Sequence, residues 1–179
     1  MKTDYKREAQ LVLQAQCRDR QALEALLRGV QRDLFRYIAS LVGRDGAEDV
    51  LQDVFLQICR KLGFLRDPQS FRPWIYRTAS RASFAFLRKE RRYVPIDPDD
   101  SSVEEIPAAS SQSFPGFAGE LMELIETLSP ASRAVLMLHY MHEAPLEEVA
   151  AILEISIGTV KSRLAYGLSC LRESMEKEK

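Results

Sequence analysis

A chain of 179 residues that is 46% hydrophobic and 28% charged is long enough for one domain or two small ones, and its composition argues against disorder throughout. The net charge of −1 excludes little by itself, but residues 72–92 hold seven basic side chains and one acidic, while residues 93–132 hold eight acidic and no basic. Such segregation is the electrostatic footprint expected of a nucleic-acid binder. With no apolar run of about 18 residues and no apolar segment in MKTDYKREAQ, a membrane span and a signal peptide are excluded, and a cytoplasmic protein is expected. Cys17, Cys59 and Cys170 lack the CxxC spacing of a zinc site and read as reduced thiols.

Leu23, Leu26, Leu27, Val30, Leu34, Tyr37, Ile38 and Leu41 keep the spacing of one helical face, and Gly43 with Gly46 is expected to end that helix. A second helix follows over about 47–62, with Val50, Leu51, Val54, Phe55, Ile58 and Leu62 on one side. Its other side carries Glu48, Asp49, Gln52, Asp53 and Gln57. After a loop marked by Asp67-Pro68, Ser70 is the expected cap of a third helix over about 71–91. That helix places Trp74, Ile75, Ala79, Ala82 and Phe86 on its apolar side and ends in a run of cations. Three helices with short connections make a compact domain, over 1–93.

Four prolines and five acidic residues in PIDPDDSSVEEIPAASSQSFPG mark 94–116 as an acidic flexible linker. Helical spacing resumes at Phe117, and the second small domain extends over 117–179. Ser129 and Pro130 read as N-cap and first residue of one helix, Pro145 opens another through Leu153, and Ser156 caps the last. No period-two strand pattern occurs, so the fold class is all-α.

The helix ending at Leu153, the turn Glu154-Ile155-Ser156 and the helix from Ile157 form a helix-turn-helix plan. Val149, Ala150 and Leu153 are expected to pack on Val160 and Leu164. Gly158, Thr159, Lys161, Ser162 and Ala165 then face outward, where such a helix meets base edges and phosphates.

EVAAILEISIGTVKSRL, with LSPASRAVLMLHYM before it, resembles the C-terminal promoter-reading domain of the extracytoplasmic-function (ECF) sigma factors of bacterial RNA polymerase. DRQALEALLRGVQRDLFRYIASLVG, AEDVLQDVFLQICRKL and SFRPWIYRTASRASFAFLRKERR resemble the successive helices of the same family's first domain. The resemblance implies that Asp49, Gln52 and Asp53 dock on the clamp-helix coiled coil of core RNA polymerase, while the second domain meets the flap. Trp74, Arg77, Arg81, Arg88, Lys89, Arg91 and Arg92 would engage the −10 element of promoter DNA. Ser156, Gly158, Thr159, Lys161, Ser162 and Arg163 would read the −35 element. It also implies an anti-sigma factor that holds the chain inactive, and binding without catalysis, metal or cofactor. Arg81 and Ala85 stand where the family usually has asparagine and aspartate.

The residues alone leave other readings open. A conventional helix-turn-helix regulator with a helical sensor or dimerisation domain shares the C-terminal unit. A metal site at Glu48, Asp49 and Asp53 lacks a nearby histidine, and His139 and His142 have no nucleophile to serve as a base for.

Overall fold

The structure, a computed structural model, describes residues 5–90, 125 and 127–177. The helices are α1 Tyr5–Gln16, α2 Arg20–Val42, α3 Arg44–Lys61, α4 Phe71–Lys89, α5 Pro130–Leu136, α6 Leu146–Leu153 and α7 Ile157–Lys177. Among the described residues there is no strand, and the all-α expectation holds. The expected linker and the helical stretch from Phe117 to Leu124 fall outside the described residues.

The Asp19 carboxylate accepts the backbone N–H groups of Gln21 (2.9 Å) and Ala22 (3.1 Å), donors that the first turn of α2 leaves without helical partners. The predicted face of α2 is the core: Leu26, Val30, Leu34, Tyr37, Ile38 and Leu41 are at most 2% exposed. At Gly43 φ is 83°, a conformation open to glycine and strained for other residues, and α3 begins directly after it.

Gly46 has another role from the one its sequence position suggests. It lies inside α3, buried, and a Cβ there would come within 2.6 Å of the Phe86 ring of α4. The missing side chain is what lets α3 and α4 approach at this level. Two 3₁₀ turns, Leu62–Phe64 and Pro68–Ser70, join these helices. Asp67 is the capping residue there, accepting from Gln69 N (3.0 Å) and Ser70 Oγ (2.7 Å), whereas Ser70 makes no side-chain cap to α4.

Spacing gave no separate sign of α1. It is fixed by fully buried Val12, by an Arg72 Nε–Glu8 carboxylate pair at 2.8 Å, and by Gln16. The Gln16 amide donates to the carbonyls of Leu62 (2.9 Å) and Leu65 (2.8 Å).

In the second half, Ser129 Oγ accepts from Ser132 N (3.3 Å) and Pro130 opens α5, as expected; the helix then widens into a π-helical turn, Met137–Met141. Pro145 is the N-cap of α6. Glu154 closes α6 in the left-handed region at φ 58°, and Ser156 Oγ accepts from Thr159 N (3.0 Å) to start α7. Val149, Ile152 and Val160 are buried where α6 crosses α7, with Ala150, Leu153 and Leu164 packed against them.

The two halves touch. Every residue from Pro130 through Leu138 is buried, because α5 lies between α2 and α7, and apart from Arg133 the stretch carries the apolar or small residues that a helix enclosed on all sides requires. Arg133 donates from Nε to Leu128 O (2.9 Å) and from Nη1 to Ser40 O (2.8 Å), reaching the carbonyl end of α2. Nearby, α6 packs on α4.

Gly46→Leu is expected to force the Phe86 ring aside and cost about 1–3 kcal/mol, as overpacking does. A urea unfolding midpoint lowered relative to the parent chain checks this; an unchanged midpoint would mean that the α3–α4 contact yields freely.

Candidate nucleic-acid interface

Helix α7 presents its first two turns outward. Gly158, Lys161 and Ser162 are exposed, and Thr159 and Arg163 half-buried. Ser156 Oγ also shares a hydrogen bond with Thr159 Oγ1 (2.8 Å), and Ser162 Oγ donates to Thr159 O (3.0 Å), so the hydroxyls at this end are oriented in advance. Gly158 would admit a Cβ at 3.6 Å from its nearest neighbour, so internal packing does not require a glycine there. Its smallness keeps the helix N-terminus, a place suited to phosphate oxygens, open to close approach.

On α4, Trp74, Arg77, Arg81 and Arg88 recur at i, i+3, i+7 and i+14, which aligns them along one stripe. Their surroundings differ. Trp74 is half-buried with its ring centroid 6.2 Å from that of Phe71, so it serves the packing of α4 as well as its surface. Arg77 is half-buried, and its Nε is enclosed without a hydrogen-bond partner. Arg81 reaches into the helix-turn-helix, where its guanidinium forks onto the Glu154 carboxylate, Nε to Oε2 at 3.0 Å. The Arg81 hydrogen bonds hold that carboxylate below the ordinary glutamate range. Arg88 and Lys89 are exposed in the last turn, where cations suit the helix dipole. Arg91 and Arg92 lie outside the described residues.

Asp49, Gln52 and Asp53 are exposed together on α3, facing away from the Val50, Val54 and Ile58 core. Leu56, 45% exposed, extends their stripe by one turn. Sequence reasoning passed over it, although its spacing from Gln52 and Asp53 is i+4 and i+3. Among the described residues no group of three or more histidine, cysteine or carboxylate side chains could hold a metal.

A polar chain crosses the contact between the halves. Tyr37 OH and Ser80 Oγ are 2.7 Å apart, Ser80 Oγ donates to Tyr76 O (2.7 Å), and Tyr76 OH meets His142 Nδ1 at 2.8 Å. The Tyr76 and His142 ring centroids are 4.3 Å apart, and Tyr37 meets Tyr76 edge-on at 5.4 Å. Burial pushes both phenols well above their ordinary range, so each is a neutral hydroxyl. Burial pushes the His142 imidazole down to about 4, with Asp33 opposing that effect and Arg72 adding to it. With Tyr76 donating to Nδ1, the proton of neutral His142 rests on Nε2, which is enclosed and has no partner. The spacing of apolar residues on α4 does not single out Tyr76, which is 3% exposed, and is silent about His142, 66 residues further along the chain.

Comparisons with known proteins match this architecture in order. The model described as "Sigma-70 region 2" covers residues 26–93, and "Sigma-70, region 4" covers residues 124–173. RNA polymerase sigma factor CarQ of Myxococcus xanthus is 30% identical over 139 residues, spanning 76% of this chain and 79% of its own. RNA polymerase sigma factor SigV of Bacillus subtilis (strain 168) is 26% identical, over 83% of this chain and 87% of its own. The ECF RNA polymerase sigma-E factor of Escherichia coli (strain K12) is 27% identical, over 86% of each chain. CnrH, solved in complex with the cytosolic domain of CnrY, shares the fold at a TM-score of 0.68 and 19% identity, covering 97% of this chain and 99% of that one. The sigma factor RpoE of Bartonella quintana, solved with the anti-sigma factor NepR, also aligns at 0.68, with 22% identity, over 87% of this chain and 98% of that one.

Because His142 has a lower pKa in the folded chain than its ordinary 6.5, protons bind preferentially to forms in which it is exposed. Its contribution to stability is complete above pH 6.5 and lost as pH falls from there to about 4, a loss of about 3 kcal/mol. Urea unfolding across that range should show this slope in the parent chain and a flatter one in His142→Phe; identical slopes would refute the assignment.

Proposed function

Because this chain belongs to the sigma-70 family of RNA polymerase sigma factors, in its ECF branch, we propose that its α3 stripe docks on core polymerase, α4 takes the −10 element and α7 reads the −35 element. The observation that carries this reading is the pair of exposed helical surfaces in the order of the two family regions: a cationic, aromatic-bearing α4 and an α7 open at its N-terminus.

Asp49, Gln52 and Asp53 offer carboxylates and an amide to basic partners on the clamp-helix coiled coil, and Leu56 adds an apolar contact at the end of that stripe. Arg77, Arg81, Arg88, Lys89, Arg91 and Arg92 neutralise phosphates and release counterions, which makes −10 binding fall with salt. Trp74 borders the melted strand. Capturing an unstacked base offsets the few kcal/mol that unpairing costs. Ser156, Gly158, Thr159, Lys161, Ser162 and Arg163 meet the −35 duplex, with Lys161 on phosphate and the second domain resting on the flap. In this reading residues 1–93 and 117–179 divide the two promoter elements, and 94–116 tethers them. The work is binding, with bond formation left to the polymerase, and its place is the cytoplasm beside that enzyme. The anti-sigma complex of the RpoE relative supports control of this chain by an anti-sigma factor of its own.

Reconstitution with core polymerase on genomic DNA should give transcripts with defined starts; association without defined starts would overturn the reading. Asp49→Lys combined with Asp53→Lys should weaken core binding at least tenfold, as reversing interfacial charges does. Lys161→Ala should reduce the salt dependence of −35 binding by about one counterion while leaving sequence preference in place.

A further inference from the structure

Helix α4 carries its cations in three settings. Arg77 is half-buried with its Nε enclosed, which leaves it little freedom to adjust to a ligand. Arg88 and Lys89 are exposed in the last turn, about 10 Å further along the axis than Arg81, where long side chains can follow a phosphate backbone. Arg81 lies between them with its side chain 65% accessible. Its Nε and Nη2 donate side by side to the two carboxylate oxygens of Glu154, so two parallel donors are presented together. Both members of that pair are well exposed; it contributes little stability, and the guanidinium exchanges partners at small cost.

Two parallel donors with no acceptor between them select what they meet. Guanine presents two neighbouring acceptors, O6 and N7, and an arginine fork on that edge is the commonest specific contact to a base; adenine sets an amino donor beside its N7, which arginine meets donor to donor. Guanine N7 takes no part in base pairing and O6 keeps a second lone pair, so this edge is open in melted and paired DNA alike. The flanks of Arg81 leave room for a base. One turn before it, Thr78 is short and its hydroxyl is spent on Trp74 O (2.9 Å); one turn after it, Ala85 is exposed and ends at Cβ. A phosphate needs no such shelf, whereas a planar base coming in edge-on does. An aspartate at 85, as the family usually has, would compete for the fork from the same helix at i+4; alanine leaves the fork to the ligand.

We propose that Arg81 is a specificity-determining residue for the −10 element, forking onto O6 and N7 of one guanine while Arg88 and Lys89 hold the backbone. This rests on the reading of α4 as the −10 surface and deepens it: Arg81 adds its charge to the stripe but spends its hydrogen bonds on a base. The −10 sequence that this chain accepts therefore contains a guanine facing the middle of α4.

The test uses holoenzyme assembled from core polymerase and the full chain, on a promoter whose start has been mapped, with each −10 position changed in turn to all four bases. The parent should favour guanine at one position by about tenfold, the discrimination of one bidentate pair. Arg81→Ala should erase that preference and leave those at other positions in place, and Arg81→Asn should move it to adenine, whose N6 and N7 suit an amide. Replacing that guanine by 7-deazaguanine, which lacks the N7 acceptor, should lower initiation severalfold with the parent and leave Arg81→Ala unaffected. Glu154→Gly removes the paired carboxylate at a left-handed residue where glycine is unstrained, and should keep the preference, because Arg81 and not its partner reads the base. Arg88→Ala should instead weaken all sequences alike, as loss of a phosphate contact does. Absence of a guanine preference at every position, a cytosine preference that depends on Arg81, or an Arg81→Ala effect equal for all sequences would each overturn the proposal. Any of these with defined starts leaves the sigma reading standing; a parent holoenzyme without defined starts overturns that reading and this one with it.

Discussion

Arg133 is a full positive charge, 8% exposed, set against the carbonyl end of a helix in the other half of the chain. The last carbonyls of α2 have no helical partners, and the negative end of its dipole favours a cation. Arg133 supplies both hydrogen bonds and charge at Ser40 while tying Leu128 O within its own half. Removing that charge would leave two buried carbonyls short of a donor, and removing the carbonyls would strand a buried guanidinium. The burial of α5 on every side, and so the seating of α6 on α4, depend on this joint. Ala131, Ser132 and Ala134 are small enough to let α5 come that close to its neighbours.

The contact couples two surfaces with different demands. A helix that meets single-stranded DNA must offer cations and aromatic faces to solvent, whereas a helix within a packed core must not. On the proposed reading α4 divides these tasks around its circumference: Phe71, Ile75, Ala79 and Leu87 are buried, Arg88 and Lys89 open. Tyr76, Ser80 and Ser83 lie between them, buried although polar. Tyr76 and Ser80 are satisfied through the chain that ends at His142, while Ser83 Oγ has no hydrogen-bond partner. The second half thus completes one side of a helix whose opposite side is complete without it.

Much of this was legible in the sequence wherever a local rule decides the outcome. Apolar spacing located α2, α3 and α4 to within a few residues, and Ser129, Pro130 and Ser156 were read correctly as helix starts because a side-chain oxygen or a fixed φ acts on its own turn. On α7 the same geometry placed Gly158, Lys161, Ser162 and Ala165 outward, where they are exposed, whereas Thr159 is half-buried. What stayed hidden depends on partners distant in the chain. Gly46 reads as a stop signal until Phe86 is seen beside it, and Ser70 stands at the N-cap position of α4 but gives it no side-chain bond, while Asp67 caps the 3₁₀ turn before it. Periodicity identifies an apolar face without saying what covers it, so neither the burial of α5 nor the pairing of Arg81 with Glu154 could be drawn from spacing.

The first helix lies outside the family match, which begins at residue 26, yet it acts as a splint. Through Gln16 it holds the carbonyls of Leu62 and Leu65 just beyond α3, and through Glu8 it anchors Arg72 at the start of α4. A fragment trimmed to the family boundary would lose these braces together with Val12, and the bend that sets the angle between α3 and α4 would slacken. Residues outside the proposed promoter and polymerase surfaces thereby govern the relative aim of the two helices, α3 and α4, that carry those proposed surfaces.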